Sequence, residues 1–167
     1  VIFFSPCGRR YSQKDAERLS SLNRILFVCG RYEGIDERAY ALADETVSVG
    51  DYVLTGGELA ALVVIDSVVR LLPGVLGDDR SAKDESFSQG LLEYAQYTRP
   101  ATFQDERVPE VLLSGDHGAV SAWRRRSSIE RTARWRPDLL EGAELNEDEW
   151  GLVHETLGRR DCEAADV

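Results

Sequence analysis

The feature that most constrains this chain is a pattern that occurs three times in succession: a short apolar run stopped by a glycine-bearing turn. VIFF ends at SPCG, RILFVC at GRYEG and ETVSV at GDYVLTGG. Short runs of apolar and β-branched residues bounded by turn residues read as buried strands, here Val1–Phe4, Arg24–Cys29 and Glu45–Val49. The first two strands are separated by a helix-forming stretch. Ser12 is placed to cap it, Asp15 and Glu17 sit in its first turn where the helix dipole favours acids, and it runs to about Leu22. Ile35–Ala43 reads as a second helix. Strands alternating with helices predict an α/β unit around a mainly parallel sheet. Ligands of such sheets sit beyond the carboxyl ends of the strands, where all three turns fall.

Gly57–Leu72, GELAALVVIDSVVRLL, is apolar nearly all round and predicts a helix buried on most sides, in a core or a subunit interface. Pro73-Gly74 ends it. The stretch from Gly77 to Gly90, GDDRSAKDESFSQG, is polar and aperiodic. The expected organisation is a first domain over 1–77, a flexible linker over 78–90 and a mostly helical second domain over 91–167. No apolar run is long enough to span a membrane. The three cysteines, Cys7, Cys29 and Cys162, are widely spaced and odd in number, which fits a reducing cytoplasm better than a disulfide framework. The two histidines, His117 and His154, have no ligand-spaced partners, so no metal site is expected. Phosphate-loop, GxGxxG and GxSxG signatures do not occur.

A net charge of −10 argues against a polyanionic partner, but the distribution of charge outweighs its sum. Ser121–Arg136 holds six arginines against one glutamate, with Trp123 and Trp135 interleaved, and the chain turns acidic from Pro137 onward. Two readings stand side by side. The arginines form a solvated helix face paired with the acidic tail, or they contact a phosphate backbone.

Seven blocks in order, SPCGRR, VCGRYEGIDER, VSVGDYVLTGGELA, IDSVVRLLPGVLG, SFSQGLLEYAQYTRP, VPEVLLSGDHG and WRRRSSIERTARWRPDLL, give the chain a specific resemblance. It resembles the bacterial tRNA (guanine-37-N1)-methyltransferases, members of the knotted SPOUT class, over residues 1–140. The resemblance implies a SPOUT-type parallel sheet with a deep trefoil knot, followed by a small, mostly helical C-terminal domain. It implies a cytoplasmic homodimer acting on the tRNA anticodon stem-loop. S-adenosylmethionine would be the cofactor, and Mg2+ is left open as a requirement for activity. Family members carry further strands and a GGGPGM-like loop upstream, so a chain opening on VIFF without a methionine is expected to lack its N-terminal part.

By matching motif, the implied cofactor contacts are Phe3, Phe4, Ser5, Pro6, Gly30, Tyr32, Glu33, Gly34, Val49, Gly50, Tyr52, Leu54, Gly56 and Gly57. Arg124, Arg125, Arg126 and Arg131 are the expected RNA contacts. The reaction implied is methyl transfer to N1 of the guanosine 3′ of the anticodon. That nitrogen carries a proton, so a base must remove it as the methyl arrives, while charge moves onto O6. The family's O6 stabiliser corresponds to Arg70, and its base is the aspartate of a DSF motif. Here the motif reads ESF, so Glu85 stands at the base position with Asp84 before it. Ala60, where many members have proline, and Ala95 are milder departures. The alternative reading is a truncated, non-catalytic relative that retains cofactor or RNA binding.

Overall fold

The computed structural model describes residues 1–32, 34–76 and 85–165, with side chains as far as Arg159. The chain divides into two compact units, Val1–Ala82 and Lys83–Val167.

In the first unit, β1 (Ile2–Arg10) is the central strand of a three-stranded sheet, between β2 (Phe27–Val28) and β3 (Glu45–Ser48). Both pairings are parallel, as the alternation of strands and helices predicts. β1 is longer than its apolar run. Ile2, Phe3 and Phe4 pair with Glu45, Thr46 and Val47. The register then shifts, and Arg9 and Arg10 re-pair with Val47 and Ser48. Periodicity could not show this second half, because Arg9 and Arg10 carry no apolar signal.

α1 (Gln13–Ser20) begins directly after Ser12, its expected cap, and Ser12 N–H and Oγ–H both donate to Asp15 Oδ2, at 3.0 and 2.8 Å. The helix expected over 35–43 is a 3-10 segment, Glu37–Leu42, capped by Asp36. α2 (Glu58–Val69) packs with α1 against the sheet, and Ile2, Ala16, Leu19, Val47, Val64 and Val68 form the core. Ala60, Ala61, Val64 and Val68 of α2 are buried, whereas Leu59, Leu62 and Val63 stay half-exposed. Within one chain, therefore, α2 is buried along one face, not on most sides.

In the second unit, a short hairpin of β4 (Thr102–Phe103) and β5 (Glu106–Arg107) precedes α3 (His117–Trp135) and α4 (Glu147–Ala165). Its core is Leu91, Ile129, Ala133, Leu140 and Val153. Residues 91–95 are strapped along α3: Leu92 N–H donates to Thr132 Oγ1 at 2.9 Å, and Ala95 N–H to Ser127 Oγ at 3.0 Å. No helix of the described residues is long and apolar enough to cross a membrane.

Candidate functional site

The first unit holds a cleft built from the bulge within β1 and the turns that follow β2 and β3. Between the two halves of β1, residues 5–8 bulge over β3, and glycine is required there. A Cβ on Gly8 would stand 2.6 Å from Val47 N. The turn after β2 is stitched to the start of α2: Gly57 N–H donates to Gly30 O at 3.0 Å, and Arg31 forms an isolated antiparallel bridge with Gly56. A Cβ on Gly57 would lie 2.9 Å from Cys29 Cα, so only glycine lets the two segments touch. Burial, with the Glu58 carboxylate second, pushes the Cys29 thiol up and keeps it protonated.

These turns enclose a cleft of about 410 Å³. The expected contact positions Phe4, Ser5, Pro6, Gly30, Tyr32, Gly34, Val49, Gly50, Tyr52, Leu54, Gly56 and Gly57 all line it. Phe3 does not: it is 3% exposed, with its ring against Tyr40 at 5.3 Å. Glu33 lies outside the described residues. Sequence reasoning missed Glu37 and Tyr40, which also line the cleft. Their three-residue spacing puts them on one side of a 3-10 turn, a signal hidden by reading the segment as an α-helix. Of the five expected glycines, only Gly57 is demanded by close approach to other backbone; a Cβ on Gly30 or Gly50 would press on the side chains of Ile35 and Tyr52. Gly34 has φ +129°, and a Cβ there would meet nothing within 4 Å; a Cβ on Gly56 would press chiefly on the flexible Glu58 carboxylate. With Phe4, Tyr32, Tyr40 and Tyr52 beside one carboxylate, the cleft can stack a planar heterocycle and receive a cation.

Arg70 is the C-cap of α2 and does not line this cleft. Glu85 begins the described part of the second unit, while Asp84 lies outside the described residues. Glu85 shares a second pocket, of about 320 Å³, with Tyr94, His117, Arg124 and Arg125. Arg124 stacks over the Tyr94 ring at 4.6 Å. Arg125 is anchored in its own unit, with Nε donating to Glu149 Oε1 at 2.7 Å and an Nη to Glu144 O at 2.9 Å. That guanidinium holds the Glu149 carboxyl below its ordinary range. Arg126 pairs with Glu130 at 2.8 Å, and Arg131 Nε donates to Glu93 O at 3.0 Å. So the pairing of this segment with the acidic tail is partly realised, at Arg125 with Glu149 and at Arg136 with Asp138, whereas Arg126 pairs inside the segment. Among the described residues no cluster of His, Cys, Asp and Glu is arranged to hold a metal ion.

The sequence profile of tRNA (Guanine-1)-methyltransferase TrmD matches residues 1–142. A protein of Symbiobacterium thermophilum named tRNA (guanine-N(1)-)-methyltransferase is 55% identical over 153 residues, covering 92% of this chain and 62% of that protein. Its namesake in Caldanaerobacter subterraneus is 54% identical over 155 residues, with 93% and 64% covered. That of Dictyoglomus turgidum is 50% identical, with 93% and 63% covered. The chain spans about three fifths of the length of these curated relatives. A profile match over most of the chain, and identities of half or more, decide its family: the chain belongs to the tRNA (guanine-1)-methyltransferases.

Proposed function

We propose that this chain carries the cofactor cleft and catalytic groups of a cytoplasmic tRNA (guanine-N1)-methyltransferase that modifies the guanosine 3′ of the anticodon. The observation that carries the reading is convergence. Segments far apart in sequence, the bulge within β1 at 4–7 and the stretches at 30–37 and 47–57, meet in one cleft. The cleft's chemistry fits S-adenosylmethionine, with aromatic rings for the adenine and the Glu37 carboxylate and tyrosine faces for a cationic group. When bound, that cofactor supplies an electrophilic methyl group. The deep trefoil knot of the family is the topology in which these turns are expected to be threaded.

On this reading Glu85 accepts the N1 proton and Arg70 donates to O6 as charge develops there. α2 is 12 residues long, so Arg70 stands roughly 18 Å along the helix from the Gly57 end that borders the cleft. A twofold homodimer that packs α2 antiparallel on its copy would bring Arg70 of one subunit to the cleft of the other. The half-exposed Leu59, Leu62 and Val63 supply an apolar face for that packing. Arg124 over Tyr94, beside Glu85, supports placing the anticodon loop and an extruded guanine at the second unit.

The test is a methyl-transfer assay on a tRNA with guanosine 3′ of its anticodon, using the whole protein. Glu85→Gln is expected to abolish transfer while cofactor and tRNA affinities stay within about twofold, because the amide keeps the shape and cannot take the proton. Glu85→Asp is expected to match or exceed the wild type by restoring the family's reach. Loss of activity in Asp84→Asn but not in Glu85→Gln moves the base to Asp84. Cofactor or RNA binding without turnover by the wild type selects the non-catalytic alternative.

A further inference from the structure

Four charged residues adjoin the cleft without lining it: Arg10, Arg31, Asp51 and Glu58. They form two ion pairs, and each pair joins two different cleft loops. Arg31 Nε donates to Glu58 Oε1 at 2.8 Å, tying the turn that carries Gly30 and Tyr32 to the start of α2 beside Gly56 and Gly57. The Arg10 guanidinium donates to the Asp51 carboxylate, tying the end of β1 to the loop that carries Tyr52 and Leu54. Tyr32, next to Arg31, is held at φ +59° and is 96% exposed over the cleft.

We propose that these two ion pairs are positioning devices that set the spacing of the cleft loops, and through it the affinity for the cofactor, without touching what binds there. The inference rests on the cofactor reading above. All four side chains are about half-exposed or more, so the pairs contribute little to global stability. A small energy nonetheless governs a local opening when few other bonds cross between the loops. Across the first gap these are the Gly57–Gly30 hydrogen bond and the Arg31–Gly56 bridge. Glu58 sits in the first turn of α2, where the helix dipole holds its charge, so the mobile partner is the Arg31 turn.

Calorimetric titration of the chain with S-adenosylmethionine, paired with thermal melting, tests this. Glu58→Gln and Asp51→Asn are each expected to raise Kd about threefold, and together about tenfold, the scale of exposed ion pairs. The Tm should move by less than about 2 °C. The exchange Arg31→Glu with Glu58→Arg is expected to restore most of the affinity lost in Glu58→Gln. Glu155→Gln, which breaks the Arg159–Glu155 pair on α4, is the control and should leave Kd unchanged. Equal Kd in the wild type and in the double variant would overturn the inference. So would a fall in Tm of more than about 5 °C, which assigns the pairs to folding. No measurable binding by the wild type overturns the cofactor reading and this inference with it.

Discussion

Asp15 shows how much a single residue does here. Its side chain is 7% exposed, and both oxygens are engaged by the Arg9 guanidinium, one at 2.9 Å, with Ser12 donating twice more. The Arg9 hydrogen bonds, against an opposing cost of burial, hold its carboxyl at about 2. A depressed folded-state pKa stabilises the fold above the unfolded value near 4, and that stability is lost as pH falls through about 2. The contribution at neutral pH is about 2 kcal/mol. Asp15→Asn is therefore expected to lower stability by about 2 kcal/mol at pH 7, with the deficit vanishing near pH 2, as followed by urea unfolding across pH. The place of Asp15 in the first turn of α1 was legible from Ser12 and the helix pattern. Its partner was not, because Arg9 reaches it only through the bulge that lets β1 resume beside β3.

At the scale of elements, α3 separates two jobs that look alike in sequence. Arg124, Arg125 and Arg126 are consecutive, yet a helix sends them to different faces. Arg125 turns to Glu149 and Glu144, whereas Arg124 lies over Tyr94 at the edge of the pocket that holds Glu85. Arg125→Ala is expected to lower Tm by about 4 °C in a melting experiment. Arg124→Ala with Arg126→Ala should leave Tm nearly unchanged and weaken tRNA binding, flattening the salt dependence by about one slope unit per lost phosphate contact. Unchanged RNA affinity in that double variant would return the segment to a solvated, acid-paired face. Gly57 marks the other element boundary on which the proposed cofactor site depends. Gly57→Val should abolish cofactor binding by forcing α2 off Cys29, a sharper effect than Gly56→Val, whose neighbour is a flexible carboxylate.

For the whole molecule, the outer face of α2 is the surface on which the proposed homodimer rests. This mostly apolar helix has its inner face in the core of the first unit and leaves Leu59, Leu62 and Val63 about half-exposed. Exposed apolar faces of this kind mark association surfaces. If two copies pack through it, sedimentation of the chain should report a dimer, and Leu62→Glu should give monomers that still bind cofactor weakly but transfer no methyl group. A monomeric wild type would leave Arg70 a helix length from its own subunit's cleft and remove it from the proposed chemistry.

The sequence alone determined the parallel α/β unit, the family and twelve of the residues that line the cleft. Each of these is written in local signals: apolar runs, glycines at turns and blocks of fixed order. Tertiary structure decided the rest. It extended β1 through two arginines, replaced an α-helix by a 3-10 segment that brings Glu37 and Tyr40 to the cleft, and buried only one face of α2. It also assigned Arg125 to Glu149. Long-range register and charge pairing depend on which segments meet, and no short-range pattern encodes that. A strand continues where a neighbour offers hydrogen bonds, and an arginine's role follows from the nearest acid in space.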